Sequence, residues 1–232
     1  MATLMLLPGL DGTGELFAPF VAALRSEFVV RVVRYPSTKP LSYESLESVA
    51  HAALPSDGPY VVLGESFSGP IAISLAAAAS PQLKGLILCC SFARNPRPVF
   101  APLRSLVNFL PVKLAPIALL SHLLLGRFST TALRSALIRA LAQVSTAALR
   151  ARMRAILSVN ASAQLRSVTV PVLYLRASQD RLVPARASAQ IVALAPHARV
   201  VELEAPHFLL QAAPSEAAEV VRAFVHEVHA AV

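Results

Sequence analysis

The chain of 232 residues has no tryptophan, two cysteines, three aspartates and three lysines, and no acidic residue at all between Glu65 and Asp180. No uninterrupted apolar run reaches the ~18–20 residues that a membrane-spanning helix needs, although 55% of the residues are hydrophobic. The two cysteines are adjacent, Cys89 and Cys90, inside an apolar stretch. That excludes a disulfide framework and a metal-binding pair, and neighbours on a strand are expected to point to opposite faces. A reducing cytoplasm is the expected setting. The N-terminus shows no basic region ahead of its apolar residues, and Leu4–Leu7 runs straight into Pro8-Gly9. No signal peptide is therefore expected.

What is present is mostly positive charge, unevenly placed. The net charge is +8, from 21 basic and 13 acidic residues. Eleven of the basic residues lie between Arg94 and Arg166, so the remainder of the chain, with ten basic against thirteen acidic, is slightly negative. The asymmetry has two readings: a solvated basic face in an arginine-rich composition, or a surface that attracts an anionic partner. Nucleic acid is not the expected partner, because no base-reading or stacking motif accompanies the arginines.

Along the chain, short apolar runs alternate with helix-like ones. Strands are expected at Thr3–Leu7, Phe28–Tyr35, Tyr60–Leu63, Leu83–Cys90, Val170–Arg176 and Val200–Glu204. Helices are expected at Glu15–Leu24, Ser45–Leu54, Ile71–Ala79, Ala185–Leu194 and Ser215–Val228. Six such strands imply an α/β fold with a mostly parallel sheet covered on both faces. Residues 95–166 break the rhythm with early prolines followed by long Leu-, Ala- and Arg-rich helical stretches, among them Leu114–Gly126. They form an expected helical lid inserted between two core segments, 1–94 and 167–232, above the edge where ligands collect.

One motif carries chemistry. Tyr60-Val-Val-Leu-Gly-Glu-Ser66-Phe-Ser-Gly-Pro70 is a strand that ends in a serine between small residues and continues as a helix. This is the pattern of a nucleophile elbow, a strained turn that holds a serine hydroxyl in the open. A nucleophilic serine needs a base, and the base needs an acid that fixes its tautomer. Of the three aspartates, Asp11 lies in a Gly-rich turn and Asp57 in Ser56-Asp57-Gly58-Pro59, and both suit Asx roles. Asp180 follows the Val170–Arg176 strand at the C-terminal edge of the sheet, where it serves as the acid or caps the next helix. Among six histidines, His51, His226 and His229 fall on helices, His122 in the lid and His197 in a turn. His207 directly follows the last strand, as the base or as a structural loop residue. An oxyanion site requires two converging backbone N–H groups. Phe67 and Leu10, the latter in Pro8-Gly-Leu-Asp-Gly-Thr-Gly14, are the candidates, unless that segment is an ordinary Gly-rich turn.

The Pro8–Gly14 turn, the Gly-Glu-Ser66-Phe-Ser-Gly elbow, the Asp180 loop and the Pro206-His207-Phe208 segment together resemble the α/β-hydrolase superfamily, in a short form beginning at what is usually its third strand. The departures are Pro8 where histidine is common and Ser68 where glycine is common. Lid and size are similar to those of pimeloyl-carrier-protein methyl ester esterases and small carboxylesterases. The resemblance implies a serine hydrolase that cleaves small-molecule carboxylic esters, of short to medium acyl or aromatic type, through an acyl-enzyme with no metal or cofactor. Serine in place of aspartate disfavours dehalogenase and epoxide hydrolase chemistry. Two alternatives stand beside it. One is a thioesterase or carrier-linked methyl esterase whose basic lid docks an acidic carrier protein or a CoA thioester. The other is a non-catalytic ligand-binding protein of the same fold.

Overall fold

The computed structural model describes residues 2–24 and 27–230, so the outer limits of the two core segments, 1 and 232, lie outside it. Six strands form one sheet in the order β2-β1-β3-β4-β5-β6, and every neighbouring pair is parallel. They are β1 (Thr3–Leu7), β2 (Val29–Val32), β3 (Tyr60–Glu65), β4 (Leu83–Cys89), β5 (Val172–Gln179) and β6 (Arg199–Pro206). Alternation along the strands builds two cores. Met5, Leu7, Val62, Leu86 and Leu88 pack on one face, while Leu4, Leu6, Val61, Leu63 and Ile87 pack on the other. Central strands buried on both sides are why these stretches read as continuous apolar runs.

Every strand but β1 differs from its expected range at one or both ends, most clearly β5 and β2. β5 begins at Val172, since Pro171 has no N–H to give the ladder, although its carbonyl still accepts from Leu86 N at 3.0 Å. β2 is an edge strand of only four residues, and Phe28, Val33 and Tyr35 are buried from the adjoining loops.

Helices α1 (Ala18–Ala23), α2 (Tyr43–Ala52) and α3 (Gly69–Ala77) belong to the first half. The expected Glu15–Leu24 helix is split, because a 3₁₀ turn over Glu15–Phe17 precedes α1 and Pro19 stands at the start of α1, where its missing N–H costs nothing. Between β4 and β5 lie a 3₁₀ stretch (Pro98–Phe109), a 3₁₀ turn (Val112–Leu114), α4 (Ile117–Leu124), a 3₁₀ turn (Gly126–Phe128), α5 (Thr131–Ala142), α6 (Thr146–Ile156) and α7 (Ser162–Ser167). The early prolines prevent long α-helices: Pro102 interrupts the first stretch and Pro116 is the N-cap of α4, which removes the expected start at Leu114. The chain leaves and re-enters this excursion at one neck, an antiparallel bridge between Arg94 and Asn160 flanked by Asn95 N to Val159 O and Ala161 N to Ala93 O. Helices α8 (Ala185–Leu194), α9 (Leu209–Ala212) and α10 (Pro214–Ala230) complete the fold, and no described helix is long and apolar enough to cross a membrane.

The cysteines depart from the expected arrangement. Both are free thiols, but Cys90 lies just past β4 at φ +47°, outside the extended region, and packs in the same core cluster as Cys89. The opposite-face rule holds only while the chain stays extended.

Candidate active site

Ser66 lies at the junction of β3 and the turn leading into α3, at φ +48°, a left-handed conformation that a side chain rarely adopts. The neighbours explain how it is held. A Cβ on Gly64 would come within 2.7 Å of the Ala72 Cβ and 2.8 Å of the Ser68 carbonyl, so only glycine fits there. Ser68 is fully buried, and its presence in place of glycine has a purpose in this chain. Its hydroxyl donates to the Pro8 carbonyl and lies 2.8 Å from the Tyr35 hydroxyl, which ties the elbow to the loop after β1. Behind the serine, the Ser91 hydroxyl donates to the Ser66 carbonyl.

The three loops at the C-terminal edge bring Ser66, His207 and Asp180 together. Ser66 Oγ is 2.8 Å from His207 Nε2, and His207 Nδ1 is 2.8 Å from Asp180 Oδ2. The other Asp180 oxygen accepts from the Leu182 and Val183 N–H groups, each at 2.8 Å. Asp180 therefore shapes its own turn and faces the histidine at once, while α8 begins only at Ala185. Burial works to lower the His207 pKa, but the Asp180 charge and hydrogen bond, helped by the Glu65 charge, leave it above the ordinary 6.5. Cys90 stands beside the pair, with its sulfur and one ligand atom each of Asp180 and His207 within 4.8 Å of one another. Burial above all, and then the neighbouring Cys89, Asp180 and Glu65, push the Cys90 thiol well above its ordinary value.

Leu10 and Phe67 lie on the two loops that flank Ser66. Neither N–H donates to another group among the described residues. The Phe67 ring stacks on Tyr43 at 4.7 Å, and the Tyr43 hydroxyl donates to the Phe67 carbonyl at 2.9 Å, which fixes the peptide after the serine. Asp11 makes the expected Asx turn, accepting from the Thr13 N–H and hydroxyl.

The residue that sequence reasoning missed is Arg152 on α6. It is 1% exposed and donates to the carbonyls of Leu10 (2.9 Å), Asp11 (2.6 Å) and Pro36 (3.0 Å). Its guanidinium lies so close over Gly12 that a Cβ there would meet Nη1 at 2.6 Å. The insertion thereby holds the Leu10 loop by its carbonyls and leaves the Leu10 N–H free. Among eleven basic residues of one segment, nothing local in sequence distinguishes this one. Glu65, beside Ser66, is also buried and accepts from Gln211 Nε2 at 2.9 Å. Burial first, then the nearby Asp11 charge, against the Gln211 and Gly9 hydrogen bonds and His207, push its carboxyl up to about 7.

A cavity of about 530 Å³ opens between α2, the start of α3 and α6, lined by Tyr43, Pro70, Ile71 and Ala155 together with two carboxylates, Glu44 and Glu47, and two guanidinium groups, Arg104 and Arg154; Ser66, Asp180 and His207 are not among its lining residues.

The model of the "Alpha/beta hydrolase family" matches residues 4–223. Among curated proteins, "Phytyl ester synthase 1, chloroplastic" of Arabidopsis thaliana is 32% identical over 114 residues, covering 45% of this chain. The match spans only 16% of that protein's length. Among solved structures, a carboxylesterase of the Thaumarchaeon Nitrososphaera gargenis superposes with a TM-score of 0.84 at 16% identity, covering 100% of this chain and 92% of that one. The enol-lactonase of Burkholderia xenovorans LB400 superposes with a TM-score of 0.78 at 18% identity, covering 97% and 91%. At such identities the structural likenesses establish the fold.

Proposed function

The chain belongs to the alpha/beta hydrolase family, and on that footing we propose that it is a serine hydrolase of carboxylic esters, with Ser66 as nucleophile, His207 as base and Asp180 as orienting acid. The observation that carries this reading is the hydrogen-bond chain from Ser66 Oγ through His207 to Asp180, 2.8 Å at each link. Asp180 holds the proton on Nδ1, which leaves the Nε2 lone pair facing the serine. Ser66 Oγ bonds to the ester carbonyl carbon as His207 takes its proton. The carbonyl oxygen becomes an oxyanion accepting from the Leu10 and Phe67 N–H groups. Collapse breaks the bond to the alcohol, which leaves with the proton from His207. Water, deprotonated by the same histidine, then releases the acid and restores Ser66.

The apolar part of the cavity wall, Pro70 and Ile71 on the helix that follows Ser66, suits short to medium acyl or aromatic esters. Arg104 and Arg154 on the same cavity favour one second reading, a CoA thioester whose phosphates they would meet. A p-nitrophenyl ester series of increasing acyl length, run beside an acyl-CoA at two salt concentrations, separates the two. A fluorophosphonate should phosphonylate Ser66 with loss of fluoride, adding its mass less HF to the peptide containing Ser66, and abolish turnover. Failure to label, or labelling with turnover intact, refutes the assignment.

The pH dependence follows from His207. The base must be neutral to accept the serine proton, and its raised pKa keeps it protonated to higher pH than an ordinary histidine. The acid limb of kcat/KM should therefore have its midpoint above pH 6.5, the ordinary value. A midpoint at or below that value contradicts the role given to Asp180.

A further inference from the structure

The large apolar side chains that this protein leaves exposed are concentrated in one place. Of the eleven among the described residues, nine lie between Val99 and Leu119, in the 3₁₀ stretch Pro98–Phe109, the turns after it and the first turn of α4. The most open are Phe109 at 81%, Leu114 at 79% and Val99 at 75%. A patch of this kind on a soluble domain marks a contact surface. The segment is not loosely attached. Arg97 donates to the carbonyls of Arg181 and Leu182, Arg150 to the carbonyl of Leu110, and α4 meets both site loops through Arg181 to His122 O and Phe208 N to Leu124 O. These contacts hold the apolar side chains out on a fixed base, next to the loops that carry Asp180 and His207.

Charge identifies what covers the patch. Arg104 and Lys113 are exposed within it, and neither takes part in any ion pair among the described residues. No acidic residue occurs between Glu65 and Asp180, and the carboxylates that share a cavity with Arg104, Glu44 and Glu47, come from α2. A second copy of this chain would set like charges against like, since a two-fold contact apposes the same surface on both sides. A protein partner of complementary charge would meet few cations here and many aliphatic side chains, whereas protein interfaces are depleted of lysine and enriched in aromatic and arginine side chains. Phenylalanine and leucine at the tips with arginine and lysine beside them match a different surface, the headgroup boundary of an anionic bilayer.

We infer that the segment Val99–Leu119 docks the protein on anionic lipid surfaces, with Phe109 and Leu114 entering the acyl boundary and Arg104 and Lys113 meeting lipid phosphates. The docking places the Ser66 edge of the sheet near the membrane, and no helix among the described residues is long and apolar enough to cross it. It does not depend on the chemistry proposed for Ser66, and its test reads binding rather than turnover.

Because the chain has no tryptophan, Phe109→Trp introduces a single indole reporter at the exposed tip. The full-length variant is mixed with vesicles of phosphatidylcholine alone or with about one third phosphatidylglycerol. Co-sedimentation with the anionic vesicles and a blue shift of the indole emission are expected, with at least tenfold weaker binding to the neutral ones. Arg104→Gln with Lys113→Gln should weaken binding to anionic vesicles by about tenfold or more. Phe109→Ser with Leu114→Ser should weaken it by a similar factor and keep wild-type rates on a soluble p-nitrophenyl ester, while the charge double, whose Arg104 also lines the cavity, should keep the wild-type circular dichroism spectrum and Tm, which shows that both are folded. Equal binding to the two vesicle types, no binding to either, or binding unaffected by the two double variants overturns the inference. So does burial of the indole by self-association, or by an acidic carrier protein, in place of anionic vesicles.

Discussion

Ser66→Ala, His207→Ala and the double variant should each lose about 10⁴-fold or more in kcat/KM on a p-nitrophenyl ester, and the double should be no worse than either single. The reason is the linkage between the groups. In the proposed mechanism the histidine acts on the serine proton through their 2.8 Å contact, so without the serine hydroxyl it has no proton to move, and without the histidine the hydroxyl stays protonated. What survives is the oxyanion site proposed at the Leu10 and Phe67 N–H groups, and substrate binding, which both variants keep. The elbow itself should survive the change to alanine, because its bracing contacts involve the Ser66 carbonyl, with Ser91, and the Ser68 hydroxyl, with Pro8. Wild-type rates in either single variant, or losses that multiply in the double, would remove Ser66 and His207 from the roles given to them.

Glu65→Gln should stabilise the protein in a pH-dependent way. The carboxyl is buried against Gln211 and Asp11, and its pKa is pushed from 4.5 up to about 7. The folded state therefore keeps a proton that the unfolded chain releases above its own, lower pKa. Below about pH 4.5 the group contributes nothing to the pH dependence. As pH rises from there through about 7, the folded state is progressively disfavoured, and above that the penalty is constant. A shift of this size corresponds to about 3 kcal/mol. Glutamine cannot ionise and can still accept the Gln211 hydrogen bond. The Tm difference between variant and wild type should therefore grow in the variant's favour by about 6–12 °C between pH 5 and pH 8. Since the Glu65 charge also helps to raise the His207 pKa, the acid limb of the rate profile should move to lower pH in the same variant. Parallel thermal profiles for the two proteins across that range would show that Glu65 is ionised at no cost.

Particular residues show where sequence reasoning was sufficient and where it was not. The strand before Ser66 was legible because parallel strands buried on both faces are uniformly apolar, and the elbow because Gly64 has no substitute when Ala72 and the Ser68 carbonyl stand so near. Asp180 and His207 were legible by position, since each directly follows a strand at the edge where the loops converge. Ser68 was legible as an oddity but not as a link, because Pro8 and Tyr35 lie far from it in the chain. Cys90 was misjudged on its direction because the strand ends one residue before it and the chain turns. The prolines of the excursion were visible, yet that they would turn residues 98–109 into a 3₁₀ stretch, rather than only delay a helix, was not.

The elbow and the residues proposed as acid and base are thus written in local pattern: periodicity, small residues around one serine, and polar residues placed at strand ends. Such signals survive because each depends on neighbours a few positions away. The grip of Arg152 on the Leu10 loop, the raised carboxyl of Glu65 and the apolar side chains left uncovered at Val99–Leu119 have no local signature. They arise from burial and from contacts between segments more than a hundred residues apart, or from the lack of any segment to cover a face. A side chain's desolvation and its partners exist only once the chain has closed around it.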